Sequence, residues 1–458
     1  MRQTSEQGRQ TRLCLLLALL CLSAGSFAQD DPAAFDLDTA NNNFSEFYED
    51  GLYNQATVAA TRALWMARVN YGEESIEAAL AQINLANAQQ KSADHPAAID
   101  SFEQSIRRIE AVDGVVSARL VKPLMGLAAS QNVIGAFDRG LVNYQRALRL
   151  NHVDNGLYNE KQLPIRDSLT ETYLALGEQA DAEFQQEIQV IILQQEYGND
   201  PAKVIPAMYK LANWYGRTNQ PTKQAYQYQA AVRLIREQSD KNSPDQIEAL
   251  RELSNIYRRM DMPAESMRLL KRAYRLNAEA EQPDPVLAAD IQIQIGDFYN
   301  MFGDRRSARE HYKIAWNTLT GMGGQETLLN EYFAQPVNLE GPPLPQVYPA
   351  NSSTAELFFQ EPGRFTEGYV LAEYDVDADG RVRNVRIIES EPVSLIDKKI
   401  RVALSRHRYR PRIVAGAFSA ASGERIRHSF NYEPPSEQEE QDNDTEKLGR
   451  PGQQLFTP

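Results

Sequence analysis

Residues Phe44, Ala86, Ala128, Thr170, Ala212, Ser254 and Gly296 stand 42 positions apart without insertion or deletion, and six of the seven are small. The same spacing joins Asn43, Leu85, Leu127, Leu169, Leu211, Leu253 and Ile295, and again Ala63, Ser105, Ala147, Gln189, Ala231, Ala273 and Ala315. Few folds accept a fixed period of this size. A unit that cannot bury its apolar face alone must stack on its neighbours as a solenoid. Seven copies of one unit predict a chain that binds other polypeptides rather than one that catalyses.

Each unit reads as two helices. Three residues after the small register comes an aromatic (Phe47, Tyr173, Tyr215, Tyr257, Tyr299). Seven residues after it comes a turn (Gly51, Ala93, Gly135, Gly177, Asn219, Asp261, Gly303). Glycine, asparagine and aspartate there favour a left-handed stop to the first helix. A second amphipathic helix follows, with Ala56, Ala98, Gly140, Ala182, Gln224, Ser266 and Ala308 where backbones cross and apolar residues four and eight positions on. Gly72, Gly114, Gly156, Gly198 and Gly324 fall at a common point after it, where a helix end calls for glycine.

The order small, aromatic, turn, small resembles the tetratricopeptide repeat (TPR) over residues 37–330, and the period of 42 is similar to that of kinesin light chains. The resemblance implies a mainly α chain, an α-α superhelix of seven 42-residue TPR-like repeats. It also implies a groove lined by the first helix of each unit, at positions one and five after the small register. Those positions hold Asn87, Asn213, Asn255 and Asp297, then Glu49, Lys91, Arg217 and Arg259, with Arg251 and Arg258 nearby. Asn213, Arg217, Arg251, Asn255, Arg258 and Arg259 are the candidate groove residues, because guanidinium and amide groups suit the backbone or carboxylate of an extended peptide. The same six would also serve as an ordinary solvated helix face.

The net charge of −14 disfavours a general affinity for nucleic acid or an anionic membrane surface. Arg2, Arg9 and Arg12 precede an apolar run at 13–22, and Ser26-Phe27-Ala28 offers small residues for a signal peptidase. That run spans about 15 Å as a helix, half of a bilayer core. A cleaved signal over residues 1–28 and a periplasmic protein are expected, with membrane association the alternative if the signal is retained. Both cysteines, Cys14 and Cys21, fall inside it, so the exported chain would have no disulfide and no thiolate.

Beyond a short segment at 29–36 and the repeats at 37–330, the pattern changes. Residues 335–351 carry five prolines and read as an extended linker within a lead-in spanning 331–363. Val370, Ala372, Tyr374 and Val376 then alternate with polar or outward residues as a strand, Asp379-Gly380 signals a hairpin, and 382–388 returns. Ile396, Ile400, Ala403 and Leu404 form one face of a helix expected to run to Pro411. Ile426, His428, Phe430 and Tyr432 alternate as a closing strand. The order β-β-α-β over 364–433 predicts a small α+β domain, and 434–458 reads as an acidic disordered tail.

Gly368-Tyr369-Val370, the hairpin Val376-Asp377-Ala378-Asp379-Gly380-Arg381-Val382, Ser390, Tyr409-Arg410-Pro411-Arg412 and the closing strand resemble the C-terminal domain of TonB-type energy transducers, and Val347-Tyr348-Pro349 is similar to that family's approach to the domain. The resemblance implies an edge strand that pairs with a short segment of an outer-membrane receptor, main-chain bonds supplying affinity and alternate side chains selectivity. The last strand is the expected edge, with Arg425, Arg427, Ser429 and Asn431 outward, and its arginines would favour an acidic segment. Energy transducers also carry an uncleaved membrane helix with a histidine and a long proline-rich spacer. Here the first histidine is His95, and seven repeats stand in place of the spacer, so the binding half of the resemblance is what carries over.

No catalytic site, cofactor or metal site is expected. Asp375-x-Asp377-x-Asp379-Gly380 opens like a calcium loop, but Arg386 stands where the bidentate glutamate belongs. The chain has no G-x-S-x-G, Walker loop or H-E-x-x-H motif, and His95, His152, His311, His407 and His428 are scattered. The sequence thus predicts a non-enzymatic adaptor: a TPR groove for one protein partner and a TonB-like domain for receptor segments. The alternative is a general envelope-assembly scaffold.

Overall fold

A computed structural model describes residues 36–348 and 362–434. The signal expected at 1–28 and all but the first residue of the tail expected at 434–458 therefore lie outside the described residues. First helices α1 (Leu37–Glu49), α3 (Ile76–Lys91), α5 (Val121–Val133), α7 (Leu163–Ala175), α9 (Pro201–Arg217), α11 (Ile247–Arg259) and α13 (Pro285–Met301) alternate with second helices α2 (Tyr53–Tyr71), α4 (His95–Asp113), α6 (Phe137–Asn155), α8 (Gln179–Tyr197), α10 (Pro221–Gln238), α12 (Pro263–Ala278) and α14 (Arg305–Met322). A short α15 (Glu326–Phe333) closes the series. The chain divides between Gln220 and Pro221 into two compact units, and consecutive helices pack on one another within each. No described helix is long and apolar enough to cross a membrane.

The small register is where the helices cross. Ala86, Ala128, Thr170, Ala212 and Ser254 are buried, and a Cβ on Gly296 would stand 2.6 Å from the Tyr312 ring, so no larger residue fits there. The residues of the register through Ala63 and Ala315 are all buried as well. All seven turn residues have positive φ, including the non-glycines Ala93 (65°), Asn219 (55°) and Asp261 (57°). In every copy the residue after the turn donates its N–H to a carbonyl five residues back, from Leu52 to Phe47 through to Asp304 to Tyr299. That bond satisfies a carbonyl the helix end leaves open. The register tyrosines repeat their partners too: Tyr173 accepts from Gln145 at 3.1 Å, Tyr215 donates to Glu187 at 2.5 Å, and Tyr257 accepts from Gln229.

The small domain comprises β3 (Thr366–Val376), β4 (Val382–Glu391), helix α16 (Asp397–Ser405) and β8 (Ala421–Tyr432), joined by the short strands β5 (Arg408–Arg410), β6 (Arg412–Val414) and β7 (Ala417–Ser419). Two more strands come from the lead-in, β1 (Val337–Glu340) and β2 (Val347–Tyr348). The main sheet has the order β2-β8-β3-β4, antiparallel except for the parallel β2–β8 pair. Val370, Ala372, Tyr374 and Val376 form its core with Ile396, Ile400, Leu404 and Phe430.

Two expectations change here. The helix stops at Ser405 instead of reaching Pro411, and the pre-proline restriction fits only the extended backbone of Arg410. Tyr409 and Arg410 extend as β5 and pair with β1. The proline-bearing segment is extended, as its composition implies, yet it is not a free tether, since its main chain is engaged at β1 and β2.

Candidate protein-binding site

The hairpin turn sets the geometry of the sheet. Asp377 Oδ1 accepts the N–H groups of Asp379 (3.0 Å) and Arg381 (2.9 Å), and Asp375 accepts from Asn384 (2.7 Å) and from the Gly423 N–H (3.0 Å). Asp379 turns instead to Arg309 at 2.8 Å. The three carboxylates serve three different partners. Among the described residues no group of three or more metal-ligating side chains converges.

On β8, Arg425, Arg427 and Ser429 are exposed, whereas Asn431 is half-buried. They pair across β3 with Glu373, Leu371, Tyr369 and Glu367. The Asn431 N–H donates away from β3, to the Gln346 carbonyl at 2.8 Å. Since ladder positions alternate, the N–H groups of Arg425, Arg427 and Ser429 share that outward direction, and among the described residues they have no main-chain partner. The two arginine side chains are engaged within the sheet, Arg425 with Glu373 at 3.0 Å and Arg427 over the Tyr369 ring at 4.3 Å. The edge therefore offers main-chain donors while its cations are already occupied.

The candidate groove residues divide between the units, with Asn213 and Arg217 on α9 and the other four on α11. Asn213 is exposed, and Arg217 lies over the Trp214 ring at 5.6 Å. Arg251 is paired with Asp290, and Arg259 donates to Gln224 at 3.0 Å. Asn255 and Arg258 come together in a pocket of about 140 Å³ with Ser254, Asp297, Asn338 and Leu339. Arg258 donates to the Met301 sulfur at 3.5 Å. One wall of this pocket is β1, so the lead-in forms part of the groove.

Sequence reasoning missed the residue that joins the domain to the last repeat. Asp297 holds the register occupied by Asn213 and Asn255 in the two preceding units. Its carboxylate binds Arg410 through both oxygens (2.6 and 2.9 Å) and accepts from Tyr312 at 2.8 Å. Arg410 also donates to the Tyr332 carbonyl at 3.2 Å, and Asn300 donates to the Tyr409 carbonyl at 2.8 Å. Burial acts to lower the Arg410 pKa, but the hydrogen bonds and charge of Asp297 outweigh it and hold the group above its ordinary value. Burial first, then the Asp297 charge, pushes the Tyr312 phenol well above its usual range. Ile413 and Phe418 of the β6–β7 hairpin complete the join by packing among Tyr312, Leu319 and Phe333. The sequence signal was the carboxylate standing in the groove register beside a Tyr-Arg-Pro motif far along the chain.

His407 and His428 were also unassigned, and each holds the lead-in. His407 Nε2 bonds the Pro342 carbonyl at 3.1 Å, and His428 Nε2 bonds the Pro345 carbonyl at 2.6 Å.

The family model described as Gram-negative bacterial TonB protein C-terminal matches residues 364–432. Residues 364–432 are a TonB C-terminal domain. The chain is 27% identical over 92 residues to protein TonB of Pseudomonas aeruginosa, covering 20% of this chain and 23% of that protein. It is 40% identical over 45 residues to protein TonB of Escherichia coli, covering 10% and 19%. The chain thus spans less than a quarter of either TonB protein, and the likeness belongs to the TonB domain alone. Its fold is similar to the C-terminal part of a TPR repeat-containing protein from Cytophaga hutchinsonii (11% identity, TM-score 0.41, covering 64% of this chain and 98% of that one). It is also similar to a putative kinesin light chain from Podospora anserina with TPR-like repeats (14%, 0.38, 45% and 98%). The repeat assignment rests on the helix pairs and caps above.

Proposed function

We propose that this protein is a periplasmic binding adaptor whose TonB domain pairs with extended segments of outer-membrane receptors along β8, while the TPR groove holds a second protein. The observation that carries this reading is the row of outward main-chain donors at Arg425, Arg427 and Ser429 on a domain of this family. Because the arginine side chains are occupied by Glu373 and Tyr369, affinity rests on main-chain pairing and acidity of the partner adds little to selectivity.

Arg427→Pro tests it. The Arg427 N–H faces away from β3, so proline there deletes an edge donor and leaves the β3–β8 ladder intact. In-cell crosslinking of the full chain should lose outer-membrane receptors with this variant and keep the partners of the groove. Unchanged receptor capture by the folded variant defeats the edge.

The second reading, an envelope-assembly scaffold in which the domain only ends the solenoid, is favoured by the buried Arg410–Asp297 join. It predicts that all captured partners survive Arg427→Pro and none is a receptor.

A further inference from the structure

The straight part of the β8 edge is shorter than the strand itself. At its start Gly423 has a φ of 74° and the ladder slips between Tyr374 and Val376, so regular pairing begins at Glu424. At its end the protein's own lead-in is already in place. Val347 and Tyr348 run parallel to β8 opposite Asn431 and Tyr432, the Gln346 carbonyl takes the Asn431 N–H, and the Pro345 carbonyl takes His428 Nε2. Upstream, Leu344 packs on the domain core. Pro342 is held by His407, and Gly341 lies so close that a Cβ there would stand 2.1 Å from the His407 ring. Along the outer side of β8 the N–H groups of Arg425, Arg427 and Ser429 have no main-chain partner among the described residues.

A typical strand is about 5–6 residues long. Residues 345–348 lie level with Ser429–Tyr432, which leaves five residues, Glu424–His428, and a partner strand longer than that runs into the strap.

We propose that residues 341–348 are a strap occupying the β8 edge in cis, and that a partner segment adds to β8 by displacing it, running parallel to β8 as the strap does. This rests on the reading of β8 as a strand-accepting edge and adds its regulation. The strap lowers the apparent affinity of any partner by the fraction of molecules in which it is closed. It is anchored by side chains and carbonyls rather than by a long ladder, which suits an element that must leave.

The test uses the full chain with Cys14 and Cys21 replaced by serine, and a synthetic peptide of the strap sequence, GPPLPQVY, as the probe. Leu344→Asp and Gly341→Ala loosen the strap independently, one at the core and one at His407. Val347→Cys with Asn431→Cys, which sit opposite each other, locks it reversibly. Amide exchange is read at Arg425, Arg427, Ser429 and Asn431, with the Phe430 amide, which faces β3, as the folding control.

In the loosened variants exchange at Asn431 should rise about tenfold while Phe430 is unchanged, and the peptide should restore protection along the edge. In the oxidised lock the peptide should have no effect, and reduction should recover it. If the peptide protects Arg425 and Arg427 equally in the oxidised lock, partners pair without moving the strap and the proposal fails, although the edge reading stands. If no form is protected at β8 by the peptide, the strand-accepting edge itself falls, and the strap with it.

Discussion

Asp297 accepts from two nitrogens of one guanidinium and from a phenol, and both it and Arg410 are nearly closed to solvent. A carboxylate so placed is worth more as a partner than as a charge. Removing it strands a buried cation, which costs about 3–5 kcal/mol. Asp297→Ala should therefore shift the urea midpoint of the second unit strongly downward, and so should Arg410→Ala. The paired replacement Asp297→Leu with Arg410→Met should recover much of the loss, because a well-packed apolar pair avoids the cost of drying two charges. Trp316, packed beside Phe333 in the same cluster, gives a local fluorescence signal for the measurement. A double-mutant cycle with independent effects would contradict the assignment of these two residues as one contact.

At the level of helices and strands, the turn register carries a cost the chain does not need everywhere. Ala93 sits at a φ of 65°, where glycine occupies the equivalent place in four other copies. Left-handed backbone costs an L-residue about 1–2 kcal/mol, and the extra freedom of glycine in the unfolded chain returns about half of that. Ala93→Gly should stabilise the first unit by roughly 0.5–1 kcal/mol, seen as a higher thermal midpoint, while Gly135→Ala should do the reverse. These positions could be read in the sequence because each is decided locally: a cap needs a left-handed residue, a crossing needs a small one, and the period repeats the requirement. The strands β1, β2 and β5 were not legible for the opposite reason. Val337–Glu340 has no alternation long enough to mark a strand, and its partner Arg408–Arg410 lies in a stretch whose preference is helical until Pro411 intervenes. Pairings set by residues so far apart in the chain leave no local period. The choice of the last strand as the edge came from the family resemblance and the outward positions of Arg425, Arg427 and Ser429 from alternation, but the capture of the two arginines by Glu373 and Tyr369 depends on register across β3, which alternation does not fix.

For the molecule as a whole, the last repeat and the TonB domain are built as one body. Truncation after Ala334 would remove β1, the Arg410 partner of Asp297 and the Ile413 and Phe418 side chains, leaving Tyr312 and Phe333 beside open space. Amide exchange in α13, α14 and α15 should then accelerate, while α1 to α8 remain as in the intact chain. Equal protection in both forms would mean that the repeats are self-sufficient and the join adds little. Because β1 both walls the pocket beside Asn255 and Arg258 and pairs with β5, the pocket and the TonB sheet are separated by packed residues rather than by a flexible span. A flexible tether gives a two-headed ligand an effective concentration that falls gently as its spacing changes, whereas a stiff spacer rewards one spacing and rejects the rest. If β8 and the pocket each bind as proposed, the chain works like a ruler, granting avidity only to a partner whose two contact points are already the right distance apart.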